Sequence, residues 1–188
     1  MYRMPKTPQA AVSQRNHGPS IDSPRASARA PRPAPDAAAA DTRRIQVRKS
    51  GVHGKGVFAL RPIARGERII EYKGEIISWP EALRRHPHDA HDPNHTFYFH
   101  IDDKHVIDAK VGGNAARWIN HACEPNCEAD ETEGRVFIQA LNDVQPGEEL
   151  FYDYGLVIDE RHSAKLKKQY ECRCGASQCR RTMLAPKR

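Results

Sequence analysis

The 188-residue sequence holds no apolar run approaching the ~20 residues that a membrane-spanning helix needs. Its start, Met1 to Ala10, lacks the apolar stretch of a signal peptide. These two absences lead us to expect a soluble, intracellular protein with no membrane attachment. Cysteine is missing from the N-terminal two thirds, and all five residues fall between Cys123 and Cys179. Clustered cysteines inside a cell more often bind metal than form disulfides. Apolar residues are also scarce, at 38% with a mean hydropathy of -0.77. The length supports one sizeable domain with a real core, but the composition does not support packing of every segment.

Acidic residues are scarce at one end. From Met1 to Arg44 there are 8 Lys/Arg and 3 Asp/Glu, net +5; from Ile45 onward there are 22 and 21, net +1. The basic character therefore belongs to the first 44 residues, while the remainder is nearly neutral. A nucleic-acid-binding domain would want a basic face, so direct nucleic-acid binding is not expected beyond weak contacts by the tail. Half of the 14 prolines also lie in 1–44, among Ala-rich and Ser-containing stretches. Such a segment buries too little surface to offset chain entropy, and we expect a disordered tail or leader.

Structure is expected from Ile45. Ile45 to Arg48 alternates like a strand. Ser50-Gly51-Val52-His53-Gly54-Lys55-Gly56 has glycines for tight turns or close backbone approach to a ligand. It lacks the spacing and the Ser/Thr of a phosphate-binding loop. Arg68 to Ile77 reads as strand broken at Lys73-Gly74. Ser78-Trp79-Pro80-Glu81 is a capping box with an early proline, predicting a short helix to about Arg85. Six of the ten histidines lie from His86 to His105, in a stretch whose Asp, Asn and Pro fit a solvated loop better than a metal site. Phe97 to Ile101 and His105 to Asp108 read as a hairpin. Arg135 to Leu141 reads as a buried strand, and Asp159 to Gln169 as a polar helix or linker. Short strands with few helices and no strand–helix alternation predict a mainly β domain with short helical inserts.

The most informative stretch is Asn114-Ala115-Ala116-Arg117-Trp118-Ile119-Asn120-His121-Ala122-Cys123-Glu124-Pro125-Asn126-Cys127. Asn114 can cap a short helix, which ends in a loop dense with Asn, His and Cys. Downstream, Cys172-x-Cys174-x4-Cys179 supplies three thiols. A closed tetrahedral site needs a fourth, which Cys127 or Cys123 can supply from the central loop. Tyr72, Tyr152 and Tyr154 lie beside glycine turns or Asp153, and several tyrosines near a polar loop suit an aromatic slot for a cation.

Together these pieces closely resemble the SET-domain protein lysine methyltransferases that carry a C-terminal post-SET zinc segment, with a trithorax-type flavour. The matching motifs are His53-Gly54-Lys55-Gly56-Val57-Phe58-Ala59, Glu71-Tyr72-Lys73-Gly74-Glu75, Ile107-Asp108-Ala109, Gly113 to Cys127, Gly147 to Tyr154 and the cysteine cluster. The departures are Trp118 where Phe is usual and Ala122 where Ser is usual.

The resemblance implies small β-sheets with a threaded, knot-like C-terminal segment. It divides the chain into a tail (1–44), a SET domain (45–158) and a linker with a post-SET zinc segment (159–188). It implies S-adenosylmethionine as methyl donor, held by His53, Gly54, Lys55, Gly56, Phe97, Arg117, Asn120 and His121. Tyr72 and Tyr154 would line the lysine channel, with Tyr154 the catalytic tyrosine, and the Tyr152 hydroxyl would hold a water that limits the number of methyls added. Cys127, Cys172, Cys174 and Cys179 would bind one structural Zn2+, leaving Cys123 as a packed, unligated thiol.

The implied activity is methylation of an exposed lysine on a histone tail or another basic protein, mainly to the monomethyl and more slowly the dimethyl state, by a monomer. A catalytically silent SET module that binds a protein tail is the competing reading, and Tyr154 with Asn120-His121 argues against it. A zinc-stabilised DNA-binding domain is a further one, opposed by the near-neutral charge after Arg44. The Ala/Arg/Pro-rich tail has the composition of a GC-rich bacterial genome, which would place the protein in the cytoplasm, or in a host cell if exported. A eukaryotic source would place it in the nucleus.

Overall fold

The computed structural model describes residues 11–12, 43–85, 97–158 and 161–186. The histidines at 86, 88, 91 and 95 lie outside the described residues. The elements, in order, are β1 (Ala11–Val12), β2 (Ile45–Lys49), β3 (Lys55–Ala59), β4 (Arg68–Glu71), β5 (Glu75–Ser78), α1 (Trp79–Arg85), β6 (Tyr98–His100) and β7 (His105–Asp108). A 3-10 turn follows at Ala115–Trp118, then β8 (Asn120–His121), β9 (Cys127–Thr132), β10 (Arg135–Ala140), β11 (Phe151–Tyr152), β12 (Leu156–Val157) and α2 (Ala164–Gln169). The described chain is thus mainly β, with short helical inserts.

The strands form small sheets. β2 and β3 make an antiparallel hairpin, β4-β10-β9 one three-stranded sheet and β5-β7-β6 another. β11 lies parallel to β8, with Phe151 opposite Asn120 and Tyr152 opposite His121. This pairing joins two segments that are distant in sequence. Within the segment expected to be a tail, β1 pairs antiparallel with β12.

Local chemistry explains the ends of several elements. The Asn114 side chain accepts from the Ala116 amide at 3.2 Å and starts the 3-10 turn. The Ser78 hydroxyl accepts from the Glu81 amide at 3.4 Å at the start of α1. The Asp102 carboxylate accepts from the Lys104 and His105 amides, both at 2.7 Å, and closes the β6–β7 hairpin. The central loop runs directly into β9, a strand with no strand-like pattern in its sequence. In β9, Cys127 and Ala129 point inward and Glu128 outward. That alternation is masked by three acidic residues among the strand's six.

The main core is built from Val57, Ile63, Ile119, Val136, Ile138, Val144 and Leu150, each no more than 1% exposed. These residues come from both sides of the central loop, so packing them fixes that loop from beneath. A smaller cluster of Ile77, Ala82, Tyr98 and Val106 sits under α1.

Candidate active site and cysteine centre

A cleft of about 530 Å³ opens beside the β8–β11 pair. Its walls include His53, Gly54, Lys55, Phe97, Arg117, Asn120, His121 and Tyr154. These are residues that the sequence reading proposed for donor binding and catalysis, here brought together from four separate segments. Gly56 is not in the wall; it acts behind it. A Cβ at Gly56 would collide with the carboxylate of Glu149. That carboxylate accepts from Asn120 Nδ2 at 2.9 Å and from the Ser50 hydroxyl at 3.0 Å. Asn120 Nδ2 also lies 2.9 Å from the Lys55 carbonyl and 3.3 Å from that of His53. One amide group therefore ties the glycine loop to the central loop. Glu149 was not singled out from sequence, because its role depends on a partner 29 residues away.

Aromatic rings extend the cleft inward. Tyr152 and Tyr154 have centroids 4.8 Å apart, and Phe99 packs 5.1 Å from Tyr72 and 6.3 Å from Tyr152. The Tyr154 hydroxyl donates to the Ile119 carbonyl at 2.8 Å, and that of Tyr72 to the Phe97 carbonyl at 3.2 Å. The Tyr152 hydroxyl makes no hydrogen bond to a described residue. Burial pushes the pKa of all three tyrosines above the ordinary tyrosine value, so they remain neutral. His121 lies beneath Tyr154, and its Nδ1 accepts from the Tyr154 amide at 3.0 Å. Burial lowers the pKa of its imidazole to about 4 despite the nearby Asp153 carboxylate. A neutral ring is what an Nδ1 acceptor requires.

The cleft suits a mixed polar and aromatic ligand. Arg117 lies over the Trp118 ring at 4.9 Å and the Phe97 ring at 5.4 Å. Its Nε is buried with no partner among the described residues. Lys55 Nζ lies 4.5 Å from the centre of the Trp118 ring. The remaining wall comes from the C-terminal segment through Gln169, Glu171, Cys172, Arg173 and Met183. Cys172 belongs to the cysteine pattern, while the other four carried no recognisable pattern in the sequence.

The cysteine centre corrects one assignment. The ligand atoms of Cys123, Cys172, Cys174 and Cys179 lie within 4.8 Å of one another. Cys127 is not among them. It begins β9 inside the main core, fully buried, and burial pushes its thiol pKa up to about 12. Cys123 is two residues past His121 and turns toward the C-terminal segment, with its sulfur 3.7 Å from that of Cys172 and 3.9 Å from that of Cys179. The fourth thiol of the cluster is therefore Cys123.

The donor set fits a tetrahedral metal. Bonds of ~2.3 Å to zinc would place sulfurs about 3.8 Å apart. Backbone amides also point at the sulfurs: Arg180 at Cys123 (3.3 Å), Cys174 at Cys172 (3.4 Å), Arg181 at Cys179 (3.4 Å) and Cys123 at Cys174 (3.5 Å). Each of the four sulfurs thus accepts an N–H donor, which at Cys123 and Cys172 offsets part of the burial that raises their thiols.

Comparison with known proteins agrees with this architecture. The model of the SET domain family matches residues 54–155. The chain is 40% identical over 141 residues to histone-lysine N-methyltransferase 2B of Homo sapiens, covering 73% of this chain and 5% of that protein. It is 36% identical over 141 residues to histone-lysine N-methyltransferase trithorax of Drosophila melanogaster, covering 73% of this chain and 4% of that protein. It is 40% identical over 137 residues to the H3 lysine-4 specific histone-lysine N-methyltransferase of Kluyveromyces lactis, covering 70% of this chain and 13% of that protein. The chain thus spans a small fraction of the length of these relatives. Among solved structures, a chain in an active polycomb repressive complex 2 in the stimulated state superposes with a TM-score of 0.55 at 36% identity, over 59% of this chain and 15% of that one. The matched span contains Gly54 and Gly56 of the glycine loop, the Asn120-His121 loop and Tyr154, and on these findings the chain belongs to the SET domain family.

Proposed function

We propose that the protein is an S-adenosylmethionine-dependent protein lysine N-methyltransferase acting on a histone or another basic protein. The observation that carries this reading is the junction of the cleft with Tyr154. A polar site built on the His53–Lys55 backbone and Asn120-His121 there meets a buried tyrosine cluster. His53, Gly54, Lys55, Phe97, Arg117, Asn120 and His121 would hold the donor, with Gly56 admitting Glu149 behind Asn120. The donor supplies an electrophilic methyl group on a sulfonium.

The chain's own groups have two tasks. The first is alignment, since in-line transfer between two bound partners gains most from correct orientation. The Tyr154 proton is committed to the Ile119 carbonyl, so its oxygen remains an acceptor. It can orient an amine and stabilise positive charge near sulfur. The second task is desolvation. Lysine is protonated at neutral pH, with an ordinary pKa of ~10.4, and must be neutral to attack. A channel walled by buried Tyr72 and Tyr152 favours the uncharged amine. No dedicated general base is required.

Tyr152 would limit the methylation state. Its hydroxyl, bonded to no described residue, is available to hold a water that crowds the amine, so the main product would be monomethyl-lysine. Cys123, Cys172, Cys174 and Cys179 would hold one structural Zn2+, which orders the segment that completes the cleft. The division of the chain into a tail (1–44), a SET domain (45–158) and a post-SET segment (159–188) is part of the same proposal. No helix among the described residues is long and apolar enough to cross a membrane, and we propose action on soluble or chromatin-bound protein.

The test is methyl transfer. Zinc-loaded protein is incubated with labelled S-adenosylmethionine, mixed histones and a basic bacterial lysate, beside a Tyr154→Phe control. Label on a protein band, lost in the control, supports the enzyme, and mass spectrometry then identifies the lysine. No transfer and no donor binding by calorimetry would favour a silent module that binds a protein tail.

A further inference from the structure

The cysteine segment makes a second connection to the site, through Arg180. Its backbone amide donates to Cys123 Sγ at 3.3 Å, which fixes it on the thiol cluster. Its guanidinium reaches in the other direction, with Nη1 bonded to Asp153 Oδ2 and Nη2 to Asp153 Oδ1, both at 2.7 Å. Both side chains are partly shielded, at 27% and 34% exposure. Asp153 stands between Tyr152 and Tyr154. Its Oδ1 also accepts from the Gly155 amide at 3.0 Å and lies 3.4 Å from His121 Nδ1, the atom that accepts from the Tyr154 amide. One carboxylate thus joins the cysteine segment to the turn after the tyrosine and packs against the imidazole beneath it.

We propose that Arg180 is a positioning residue: its two-pronged grip on Asp153 fixes the backbone of Tyr154 from the cysteine segment, so that ordering of that segment also sets the tyrosine. A paired guanidinium–carboxylate contact constrains orientation as well as distance. It fixes the plane of the Asp153 carboxylate, hence the start of the turn Asp153-Tyr154-Gly155. Gly155 has a φ of +53° and can rotate away if that carboxylate is released. Arg180 does not line the cleft, so its effect runs through Tyr154. Misplacement of a reacting group by ~1 Å can cost about 100-fold, and release of one of several constraints on Tyr154 should cost about tenfold.

This inference rests on the methyltransferase reading, and its test separates the two. Arg180→Ala, Asp153→Asn and the double variant are compared with the unaltered chain for metal content, methyl-transfer kinetics and amide hydrogen exchange over residues 152–155. We expect each single variant to retain one metal per chain. Each should lose about tenfold in kcat with the donor KM within about twofold, and exchange faster over 152–155. The double variant should be no worse than the poorer single one, because both break the same contact. Arg180→Lys, which restores charge but not the paired geometry, should recover only part of the loss. An unchanged kcat, or losses that multiply in the double variant, would overturn the proposal. If Arg180→Ala sheds its metal, Asp153→Asn decides, since it lies outside the cysteine segment. Should the unaltered chain transfer no methyl group, the methyltransferase reading fails. The exchange rates then decide the clamp alone, and unchanged protection over 152–155 would sink it.

Discussion

The two halves of the cleft are held by different forces. The half built on β8, β10 and β11 stands on Val136, Ile138, Val144 and Leu150, all but inaccessible to solvent. Full burial of such side chains is worth roughly 1.5–3 kcal/mol each. The half contributed by 161–186 buries only Leu166, Tyr170 and Leu184 as large apolar side chains, and its remaining order comes from turns, the Leu156–Leu184 bridge and three cysteines. A segment this small does not build a self-sufficient core. One wall of the cleft should therefore persist on hydrophobic burial alone, while the other should depend on the zinc proposed for its thiol cluster.

Removing the metal tests this contrast most severely. Chelation, or Cys123→Ser, should release 161–186 and reduce methyl transfer by roughly 100-fold or more, because a structural metal's binding energy is largely folding energy. Residues 43–158 should retain slow amide exchange. Equal loss of protection in both regions would show that the two walls are not independent.

The paired experiment on the other cysteine sharpens the same contrast. Cys127→Ala should leave metal content at one per chain and lower stability by about 1–2 kcal/mol, the cost of a small core truncation. Loss of metal in this variant, measured by inductively coupled plasma spectrometry, would return Cys127 to the ligand set.

Tyr152→Phe probes the self-supporting wall with a smaller perturbation. The ring stays in place, so stability should change by less than about 1 kcal/mol. The product should move from mono- toward di- and trimethyl-lysine. Efficient trimethylation by the unaltered protein in a mass spectrum would remove the basis for this expectation.

The smallest effect expected is on the pH profile. Burial raises Tyr72, Tyr152 and Tyr154 above the ordinary tyrosine pKa of ~10. Raised folded-state values mean that the neutral hydroxyls carry stability that is fully present below pH ~10 and lost as the pH rises through the folded values. Methyl transfer should therefore climb steadily from pH 7 toward about 9, as more free lysine becomes neutral, with no tyrosine-driven descent. A descending limb below pH 9, with the fold intact by circular dichroism, would mean that another group controls the site.

Much of the architecture could be read from local patterns. The Asn114 cap, the capping box at Ser78, the β6–β7 hairpin and the β4–β5 break at Lys73-Gly74 all rest on interactions within a few residues. The motifs around Gly54, Asn120 and Tyr154 were also legible, as a resemblance, and the cleft brings them together. Long-range choices were not. Cys123 and Cys127 are four residues apart with the same side chain, and the assignment favoured Cys127. β9 carries no legible strand signal because Glu128, Asp130 and Glu131 conceal the inward pair Cys127 and Ala129. Glu149 behind Asn120, and Arg180 on Asp153, have partners 29 and 27 residues away.

Local sequence sufficed for the short strands, their caps and turns, and the supply of thiols and tyrosines, because backbone propensity and periodic patterning act over a few residues. Which cysteine faces the thiol cluster and which the core, which carboxylate holds Asn120, and how the last 26 described residues close over the cleft emerged only from long-range packing. Those outcomes depend on burial, and burial is fixed only when distant segments pack against one another.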